Sequence, residues 1–340
     1  MLPLEEKLRK RIAQEGPVTY EAVLESALYD ENDGYYRNGK QERQDYYTSP
    51  EIHPIFGRTI GGYVENVSRT LKIPSVSIVE LGGASGGLAG DIISAFRHLT
   101  IDRYLIIEKG QERRNGQVEW VNSVDRIGRM DGFTFIVANE FFDALPFHRV
   151  IMQKGVLHEI YTGYQDGFIE QAGPLSGPVA SFLERHPVFL QENQVTEVTT
   201  YSVPLLEKLS ELVERACLLV FDYGYHQTDI STGRFFEGSL VGYKERKIRN
   251  DLFGDLGKMD ITHHVNFDHL SDLLAGLGWK KDGEIEQYRF LYKAGLLEEL
   301  SRLPQTERLS AKWLINPAGL GSMISVLGFS KNLSFPLPGF

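Results

Sequence analysis

Hydrophobic positions along the 340-residue chain follow two alternating patterns. Short apolar runs typical of buried strands alternate with stretches of helical periodicity, and short connections join them. This order predicts an α/β protein built on a parallel sheet. The predicted core strands are 75–80, 103–108, 133–138, 218–222 and 284–293, and the predicted core helices are 56–71, 88–99, 205–214 and 268–278.

Several stretches interrupt this alternation. Residues 4–28 have the pattern of two short helices separated by a Gly-Pro pair. Residues 148–170 favour hairpin strands around Gly155 and Gly167. The predicted organisation is 1–72 for N-terminal helices and a lid-like segment, 73–147 for the first part of a Rossmann-like core, 148–203 for a β-rich insertion, 204–300 for the rest of the core with a Gly-rich insertion at 224–266, and 301–340 for a C-terminal extension.

The amino-acid composition indicates which kinds of substrate and which location are compatible with the chain. Lys and Arg number 36 against 46 Asp and Glu, and the resulting net charge of −10 argues against a nucleic-acid substrate. No apolar run is long enough for a membrane span. The single cysteine, Cys217, lies in an apolar run that indicates a buried strand thiol. The N-terminus lacks the apolar stretch of a signal peptide and the Arg-rich pattern of a transit peptide, so we expect a cytoplasmic protein. Oligomeric state cannot be read from the sequence.

The first core strand runs directly into a glycine-rich turn. Gly82, Gly83 and Gly86 fall in this turn, and a predicted helix follows. Glycines allow a tight turn and close approach of a ligand, while the helix N-terminus offers free N–H groups. Glu108 ends the next strand, where an acidic side chain can accept hydrogen bonds from ribose hydroxyls. These residues therefore predict a nucleoside-cofactor site.

Two features favour S-adenosylmethionine over NAD as that cofactor. Glu80 ends the first strand, where a carboxylate would repel a pyrophosphate but attract an ammonium and a sulfonium. Ala84 replaces the middle glycine of the dinucleotide pattern. An NAD-dependent oxidoreductase stays open as an alternative. So does a non-catalytic assembly or binding protein, because the methyl group of Ala84 lies where backbone and ligand meet.

A longer set of motifs resembles a known family, the MidA-type S-adenosylmethionine-dependent methyltransferases, which includes a mitochondrial complex I assembly factor. The resemblance runs nearly end to end. The matching runs are 27–29, 34–36, 45–51, 56–57, Glu80-Leu81-Gly82 with its following glycines, Asn139-Glu140-Phe141-Phe142-Asp143-Ala144-Leu145-Pro146, Asp222-Tyr223-Gly224, 238–240, 260–267 and Leu327-Gly328.

The resemblance has implications for the fold, the cofactor and the substrate. It implies a class I methyltransferase core with insertions, S-adenosylmethionine as cofactor, and methylation of an arginine in a partner protein. The family's Gly-Pro-Gly-x-Gly loop is Gly82-Gly83-Ala84-Ser85-Gly86 here, and its Gly-Asp-Phe motif is Gln44-Asp45-Tyr46. The predicted fold class is therefore α/β, a Rossmann-like class I methyltransferase core with an N-terminal helical and loop segment and β-rich insertions.

The 139–146 motif follows a strand whose carboxyl end faces the predicted cleft. A guanidinium acceptor is planar, cationic and rich in donors, so Glu140 and Asp143 can hold it and stabilise charge during transfer. The two acids share one face if this turn is helical. Asn139 is predicted to contact the cofactor. The alternative interpretation is a helix start capped by Asn139, with both acids favoured by the helix dipole.

A polar-aromatic segment near the N-terminus has two interpretations. It can cover the cleft as a lid that contacts substrate, or pack its aromatic rings on the core. Its residues are Tyr35, Tyr36, Tyr46, Tyr47, Thr48 and Glu51.

A group of histidines invites a metal interpretation. The spacing of Asp260, His263, His264 and His269 matches no zinc motif, and the single cysteine is distant in sequence. Local polar structure is therefore predicted here, and no metal is expected.

Overall fold

The computed structural model of the chain describes residues 3–37, 48–109, 113–249, 251–316 and 319–340. It confirms a mixed α/β fold. The strands are β1 (Val18–Thr19), β2 (Ser75–Leu81), β3 (Thr100–Ile107), β4 (Arg113–Asn115), β5 (Val118–Val121), β6 (Met130–Asn139), β7 (His148–Gln153), β8 (Val156–Tyr164), β9 (Phe168–Gly173), β10 (Val195–Val198), β11 (Val213–Asp222), β12 (Gly224–Tyr225), β13 (Val241–Lys244), β14 (Lys247–Arg249), β15 (Asp260–Thr262), β16 (Val265–Asn266), β17 (Lys280–Glu286) and β18 (Ser325–Lys331). The α-helices are α1 (Leu4–Glu15), α2 (Tyr20–Tyr29), α3 (Ser49–Ile52), α4 (Ile55–Thr70), α5 (Gly87–Ala95), α6 (Gly177–Arg185), α7 (Ser202–Leu212), α8 (Gln227–Ser231), α9 (Phe267–Gly276), α10 (Gln287–Lys293), α11 (Leu296–Arg302), α12 (Gln305–Ala311) and α13 (Leu320–Met323). Short 3₁₀ helices span Tyr35–Arg37, Val124–Arg126 and Lys312–Ile315.

The chain divides into two compact units. The insertion unit comprises Met1–Tyr46, Asp143–Pro204 and Gly224–Leu273, and the core unit comprises Tyr47–Phe142, Leu205–Tyr223 and Leu274–Phe340. This division differs from the predicted boundaries at both ends of the chain. The prediction placed helix α4 in the N-terminal segment and 301–340 in a separate extension. Both belong to the core unit, because both pack into its apolar core.

The core unit is built on an eight-stranded sheet in the order β17-β18-β11-β6-β2-β3-β5-β4. Strands β11, β6, β2, β3 and β5 are parallel, whereas β18 is antiparallel to both of its neighbours. The central strands are nearly continuous apolar runs, as expected where both faces of a sheet are covered. From β2 the chain proceeds to β3 on one side and later returns to β6 on the other. The carboxyl ends of β2 and β6 thus mark the switch point where such sheets bind ligands.

The predicted strand over 284–293 was wrong in its second half. Strand β17 ends at Glu286, and residues 287–293 form α10. Alternating aromatic residues at 288, 290 and 292 imitate the period of a strand. The side chains that the helix buries are instead Gln287, Phe290 and Leu291, which have helical spacing.

The last strand of the chain lies inside the sheet. Residues 325–331 were part of the predicted C-terminal extension, yet β18 pairs with β11 on one side and with β17 on the other. Five consecutive residues of this strand are buried. The run is short and flanked by Gly-, Pro- and Asn-containing segments, which favour loops in a sequence-based interpretation.

The insertion unit is built on an antiparallel sheet of β1, β8, β7 and β10, with β9 also paired to β8. The turns predicted at Gly155 and Gly167 are confirmed: the first connects β7 to β8 and the second connects β8 to β9. The β7–β8 connection is the two-residue turn Lys154-Gly155, with φ of 53° and 73°. Two successive positive φ values are the signature of a type I′ hairpin turn. Helices α1 and α2 contribute to the apolar core of this unit.

A buried histidine in this unit carries a pH-dependent part of the stability. His148 Nδ1 lies 2.7 Å from Glu159 Oε1, and its Nε2 lies 3.2 Å from Glu21 Oε2. Burial opposes the charge on the ring, but bonds to Glu159 and Glu21 outweigh it and raise the pKa of His148 from 6.5 to about 9. A group with a higher pKa in the folded state than in the unfolded state stabilises the folded protein. This stabilisation is complete below the unfolded pKa and is lost as pH rises through the folded pKa.

We therefore expect the free energy of unfolding to fall between pH 6.5 and 9. Urea titrations across this range measure it. In His148→Gln the decrease should be smaller and stability at the acidic end should drop, while the raised pKa values of Glu80 and Glu140 keep part of the decrease. His158→Gln, on the neighbouring strand, is the matched control and should keep the decrease. A His148→Gln variant with an unchanged pH profile would contradict this account.

Candidate active site

The glycine-rich turn between β2 and α5 has an unusual backbone. Gly82, Ala84 and Gly86 all have positive φ, of 69°, 41° and 85°. A Cβ on Gly82 would lie 2.7 Å from the ring of Phe141, and one on Gly83 would lie 2.6 Å from Glu80 Oε1. These glycines are thus required by the turn itself. Ala84 adopts the left-handed conformation despite its Cβ.

Glu80 lies beneath this turn. It is 3% exposed, and its Oε2 accepts a hydrogen bond of 2.8 Å from the hydroxyl of Tyr104. Burial, together with the nearby carboxylate of Glu108, raises the pKa of Glu80 to about 7, against the bond from Tyr104. Glu80 therefore supports the turn from inside the core. Its predicted contact with the cofactor stays a prediction.

Glu108 follows β3 and faces the same turn. Its Oε2 accepts the backbone N–H of Ala84 at 2.9 Å. Burial raises its pKa. Its other oxygen, Oε1, has no hydrogen-bond partner among the residues that the structure describes. A carboxylate oxygen left available beside a glycine turn is suited to ribose hydroxyls, and the ribose contact of Glu108 stays a prediction.

Gly86 was expected to approach the ligand, but the structure shows a protein side chain against it. A Cβ on Gly86 would lie 2.5 Å from the ring of Trp120. The indole Nε1 of Trp120 donates to the carbonyl of Ala84 at 3.0 Å, and the guanidinium of Arg113 lies 4.2 Å from the ring centroid. Sequence reasoning missed these two residues, since a lone tryptophan in a strand usually indicates core packing.

The 139–146 motif begins where β6 ends, at Asn139. Glu140 follows with φ of 48°, so the backbone does not continue into a helix. Between β6 and α6, a stretch described without gaps, no helix begins. The expectation that a helical turn places Glu140 and Asp143 on one face was therefore wrong, and so was the alternative of a helix capped by Asn139.

Glu140, the first acid of this motif, has a displaced pKa. Its Oε1 accepts the backbone N–H of Ser49 and the side-chain Nδ2 of Asn139, each at 3.2 Å. Burial, together with the carboxylates of Asp222 and Glu51, raises the pKa of Glu140 to about 8, against the bonds from Ser49 and Asn139. A left-handed backbone and a displaced pKa in one residue are typical of functional sites. Ser49 was not singled out by the sequence analysis.

Asp222 fixes the position of this motif. The residue is fully buried at the end of β11, with 0% exposure. Its Oδ2 accepts the N–H of Phe142 and its Oδ1 accepts the N–H of Tyr223, each at 2.9 Å. The backbone N–H of Glu140 also donates to the carbonyl of Phe221 at 2.8 Å. Neighbouring β11 therefore holds the segment after β6 at two points.

Asn139 offers an acceptor at the same edge of the sheet. Its Nδ2 is used by Glu140, whereas its Oδ1 is buried and has no partner among the described residues. An ammonium group supplies the kind of donor that this oxygen lacks. The predicted cofactor role of Asn139 is therefore compatible with its surroundings.

Asp143 belongs to the insertion unit, so the two predicted catalytic acids fall in different units. It is buried, and its backbone carbonyl accepts the N–H of His263 at 3.1 Å and lies 2.9 Å from His263 Nδ1. The catalytic role predicted for Asp143 stays a prediction.

The predicted lid residues have different surroundings. Tyr35 is fully buried in the apolar core of the insertion unit, which is the packing alternative for that side chain. The hydroxyl of Tyr36 donates to Asp260 at 2.5 Å. In the core unit, Glu51 accepts the N–H of Thr48 at 3.4 Å at the start of α3. Two further members of the predicted segment, Tyr46 and Tyr47, lie outside the described residues.

Two features are absent from the part of the chain that the structure describes. No group of three or more His, Cys, Asp or Glu side chains in this part is arranged to hold a metal ion. Its helices include none with the length and apolar character needed to cross a membrane. Cys217 is fully buried, as predicted, and burial raises the pKa of its thiol.

Comparison with known proteins identifies the family. The model of a family described as S-adenosyl-L-methionine-dependent methyltransferases matches residues 59–285. The chain belongs to this family. A human relative, "Protein arginine methyltransferase NDUFAF7, mitochondrial", is 25% identical over 338 residues, covering 86% of this chain and 74% of the relative. A Caenorhabditis elegans homolog of that protein is 26% identical, covering 89% and 78%.

A solved structure shows the same fold. A protein of Burkholderia thailandensis bound to S-adenosyl-homocysteine has a TM-score of 0.83 and 23% identity, covering 98% of this chain and 93% of the other. Family and fold together confirm an S-adenosylmethionine-dependent methyltransferase with a Rossmann-like core and exclude the NAD alternative. The residues present fit that cofactor, because Glu108 Oε1 and Asn139 Oδ1 offer acceptors beside a turn closely packed on itself.

The role of Glu108 can be separated from its support of the turn. Glu108→Gln can keep an oxygen for the N–H of Ala84 but loses the charge that strengthens a bond to a ribose hydroxyl. We expect S-adenosylmethionine to bind about tenfold more weakly, which calorimetric titration measures. Glu119→Gln, on β5, is the matched control and should bind normally. Equal dissociation constants for the Glu108 variant and the wild type would show that the ribose lies elsewhere.

Proposed function

We propose that this methyltransferase modifies arginine side chains of a partner protein. One observation carries the proposal: Glu140 lies beside two further acids, since burial first, and then the carboxylates of Asp222 and Glu51, raise its pKa. Phe141 connects this group to the cofactor turn, since its ring packs against Gly82. A cluster of acidic side chains beside a methyl donor suits a cationic acceptor.

The chemistry requires a group that binds the guanidinium and accepts its proton. The bound cofactor supplies an electrophilic methyl group on a sulfonium. When an arginine nitrogen forms its bond to that methyl, the S–C bond breaks with its electron pair left on sulfur, and the nitrogen loses a proton. Glu140 can orient the planar guanidinium and take this proton. A pKa of about 8 is in the range that suits a general base near neutral pH.

The names of the relatives support the same substrate class. The human, Xenopus and Drosophila relatives are all named protein arginine methyltransferases or homologs of one, with identities of 24–25%. The net charge of −10 also suits a cationic protein partner better than a nucleic acid.

The decisive experiment measures methyl transfer from labelled S-adenosylmethionine. Matched peptides that differ only by arginine or lysine, together with proteins from a strain lacking this gene, serve as acceptors, and mass spectrometry locates the product. The proposal predicts methylarginine with the arginine acceptors and none with lysine. Tight cofactor binding without transfer to any acceptor would favour the non-catalytic alternative. Transfer to another residue type would leave the methyltransferase and replace the proposed substrate.

We also propose a cytoplasmic location for this methyltransferase. The human relative is named mitochondrial, so the location needs its own test. Fractionation of cells that express the tagged chain would place it; recovery in an organelle or membrane fraction would contradict this proposal.

A further inference from the structure

We infer that Trp120 and Arg113 are positioning residues of the cofactor turn, which hold Ala84 in the left-handed conformation that cofactor binding requires. The inference depends on the cofactor of the family and is independent of the acceptor proposed above.

Ala84 occupies a conformation that a residue with a Cβ rarely adopts. Its φ of 41° lies between the positive values of Gly82 and Gly86. Left-handed backbone brings Cβ close to the following carbonyl, so an alanine has a tendency to leave it that a glycine lacks. Surrounding contacts must therefore keep Ala84 in place.

Both backbone polar groups of Ala84 are bound by side chains. Its N–H donates to Glu108 Oε2 at 2.9 Å, and its carbonyl accepts from Trp120 Nε1 at 3.0 Å. A guanidinium nitrogen of Arg113 lies 3.4 Å from the same carbonyl and donates to the carbonyl of Ser85 at 3.2 Å. These bonds fix the peptide groups on both sides of Ala84.

The two side chains on the carbonyl side support each other. The guanidinium of Arg113 stacks 4.2 Å above the centroid of the Trp120 ring, a favourable cation–π distance. The same ring lies against Gly86, where a Cβ would be 2.5 Å away. Trp120 is 4% exposed and belongs to β5, which pairs with β3. The sheet thus holds the ring in a fixed position relative to the turn.

The position of Ala84 determines the position of Glu108, the residue predicted to bind the ribose of the cofactor. Glu108 uses one oxygen for the N–H of Ala84 and retains the other for the ribose. If Ala84 left its conformation, this bond would break, and Glu108 would lose the contact that orients it. Trp120 and Arg113 therefore influence cofactor affinity through Ala84, without contacting the ligand themselves.

A double-mutant cycle tests this coupling with S-adenosylmethionine and S-adenosylhomocysteine as probes. Trp120→Phe keeps an aromatic ring beside Gly86 but removes the Nε1 donor. We expect both ligands to bind roughly 3- to 10-fold more weakly, the scale of one hydrogen bond. A glycine at position 84 adopts the left-handed conformation without strain, so Ala84→Gly removes the need for Trp120 to hold it. Trp120→Phe should therefore change the dissociation constants little in an Ala84→Gly background.

The matched control is a second buried tryptophan of the core unit. Trp279 is also 4% exposed, and its Nε1 donates to Ser210 at 2.8 Å. Trp279→Phe should lower the urea midpoint without changing either dissociation constant. If Trp120→Phe lowers the yield of folded protein, Arg113→Gln on the exposed edge strand β4 gives the same test.

Two results would overturn the inference. Unchanged affinity in both Trp120→Phe and Arg113→Gln would show that the turn needs neither residue. If Trp120→Phe weakened binding equally in the wild-type and the Ala84→Gly backgrounds, Trp120 would act on the ligand by a route other than Ala84. Recovery in the Ala84→Gly background is the result that a direct contact between Trp120 and the ligand would not produce.

Discussion

Turnover of the Glu140→Gln variant should fall about a hundredfold, the scale observed when a preorganised electrostatic contact to a transition state is lost. Glutamine keeps the shape of the side chain and one oxygen for the N–H groups of Ser49 and Asn139. It cannot neutralise a cationic acceptor or take its proton, and its own amide donors face those of a guanidinium. Cofactor affinity should change much less, because the bonds of the glycine turn are untouched.

The pH dependence of the wild type gives an independent test of the same residue. Because the pKa of Glu140 is about 8, its carboxylate is mostly protonated at lower pH. We expect kcat/KM to rise with pH up to about 8, and this rise to be absent in Glu140→Gln. Glu119→Gln should retain the wild-type profile. Normal turnover of Glu140→Gln at saturating cofactor, with strongly weakened cofactor binding, would instead make Glu140 a cofactor ligand.

Asp222→Ala should destabilise the protein by about 2–6 kcal/mol, because a buried and a partly buried N–H group lose their acceptor and each costs about 1–3 kcal/mol when unsatisfied. The groups are those of Phe142 and Tyr223. Turnover should fall as well, since the segment that carries Glu140 would lose one of its two attachments to β11. Urea unfolding measures the first effect, and methyl transfer well below the unfolding midpoint measures the second.

Asp131→Ala is the matched control for this variant. The side chain of Asp131 on β6 is 91% exposed, so its loss should change stability by less than about 0.5 kcal/mol. Asp222→Asn should be intermediate, because the amide keeps one oxygen but presents donors to a backbone N–H. An Asp222→Ala protein as stable as the control would mean that water or another group satisfies these N–H groups.

The parallel core could be predicted because its strands are buried on both faces and are therefore continuous apolar runs, as in β2, β6 and β11. Strand β18 could not, since its place between β11 and β17 comes from long-range pairing that leaves no local signal. The error over 287–293 has a different cause. Aromatic residues in alternation satisfied the pattern of a strand, and only tertiary packing shows that the segment is a helix.

Some residues of the candidate site could likewise be predicted from the sequence, and others could not. The glycine turn and Glu108 could be predicted because their spacing along the chain reflects one strand–turn–helix unit and the strand after it. Ser49, Trp120 and Asp222 come from distant segments, so only the folded chain shows their contacts. The left-handed backbone of Glu140 was also hidden, because a residue other than glycine at positive φ is held there by its surroundings and has no compositional signature.

The place of β18 has a consequence for synthesis on the ribosome. Strands β11 and β17 are both translated before β18, yet each has β18 as a hydrogen-bonded neighbour. Until residues 325–331 leave the exit tunnel, one edge of each strand stays open to other nascent chains. A stop codon shortly before residue 325 would remove few residues but leave those edges permanently open. Such truncated products should aggregate or be degraded during expression, although they contain the whole glycine turn and the Glu140 motif.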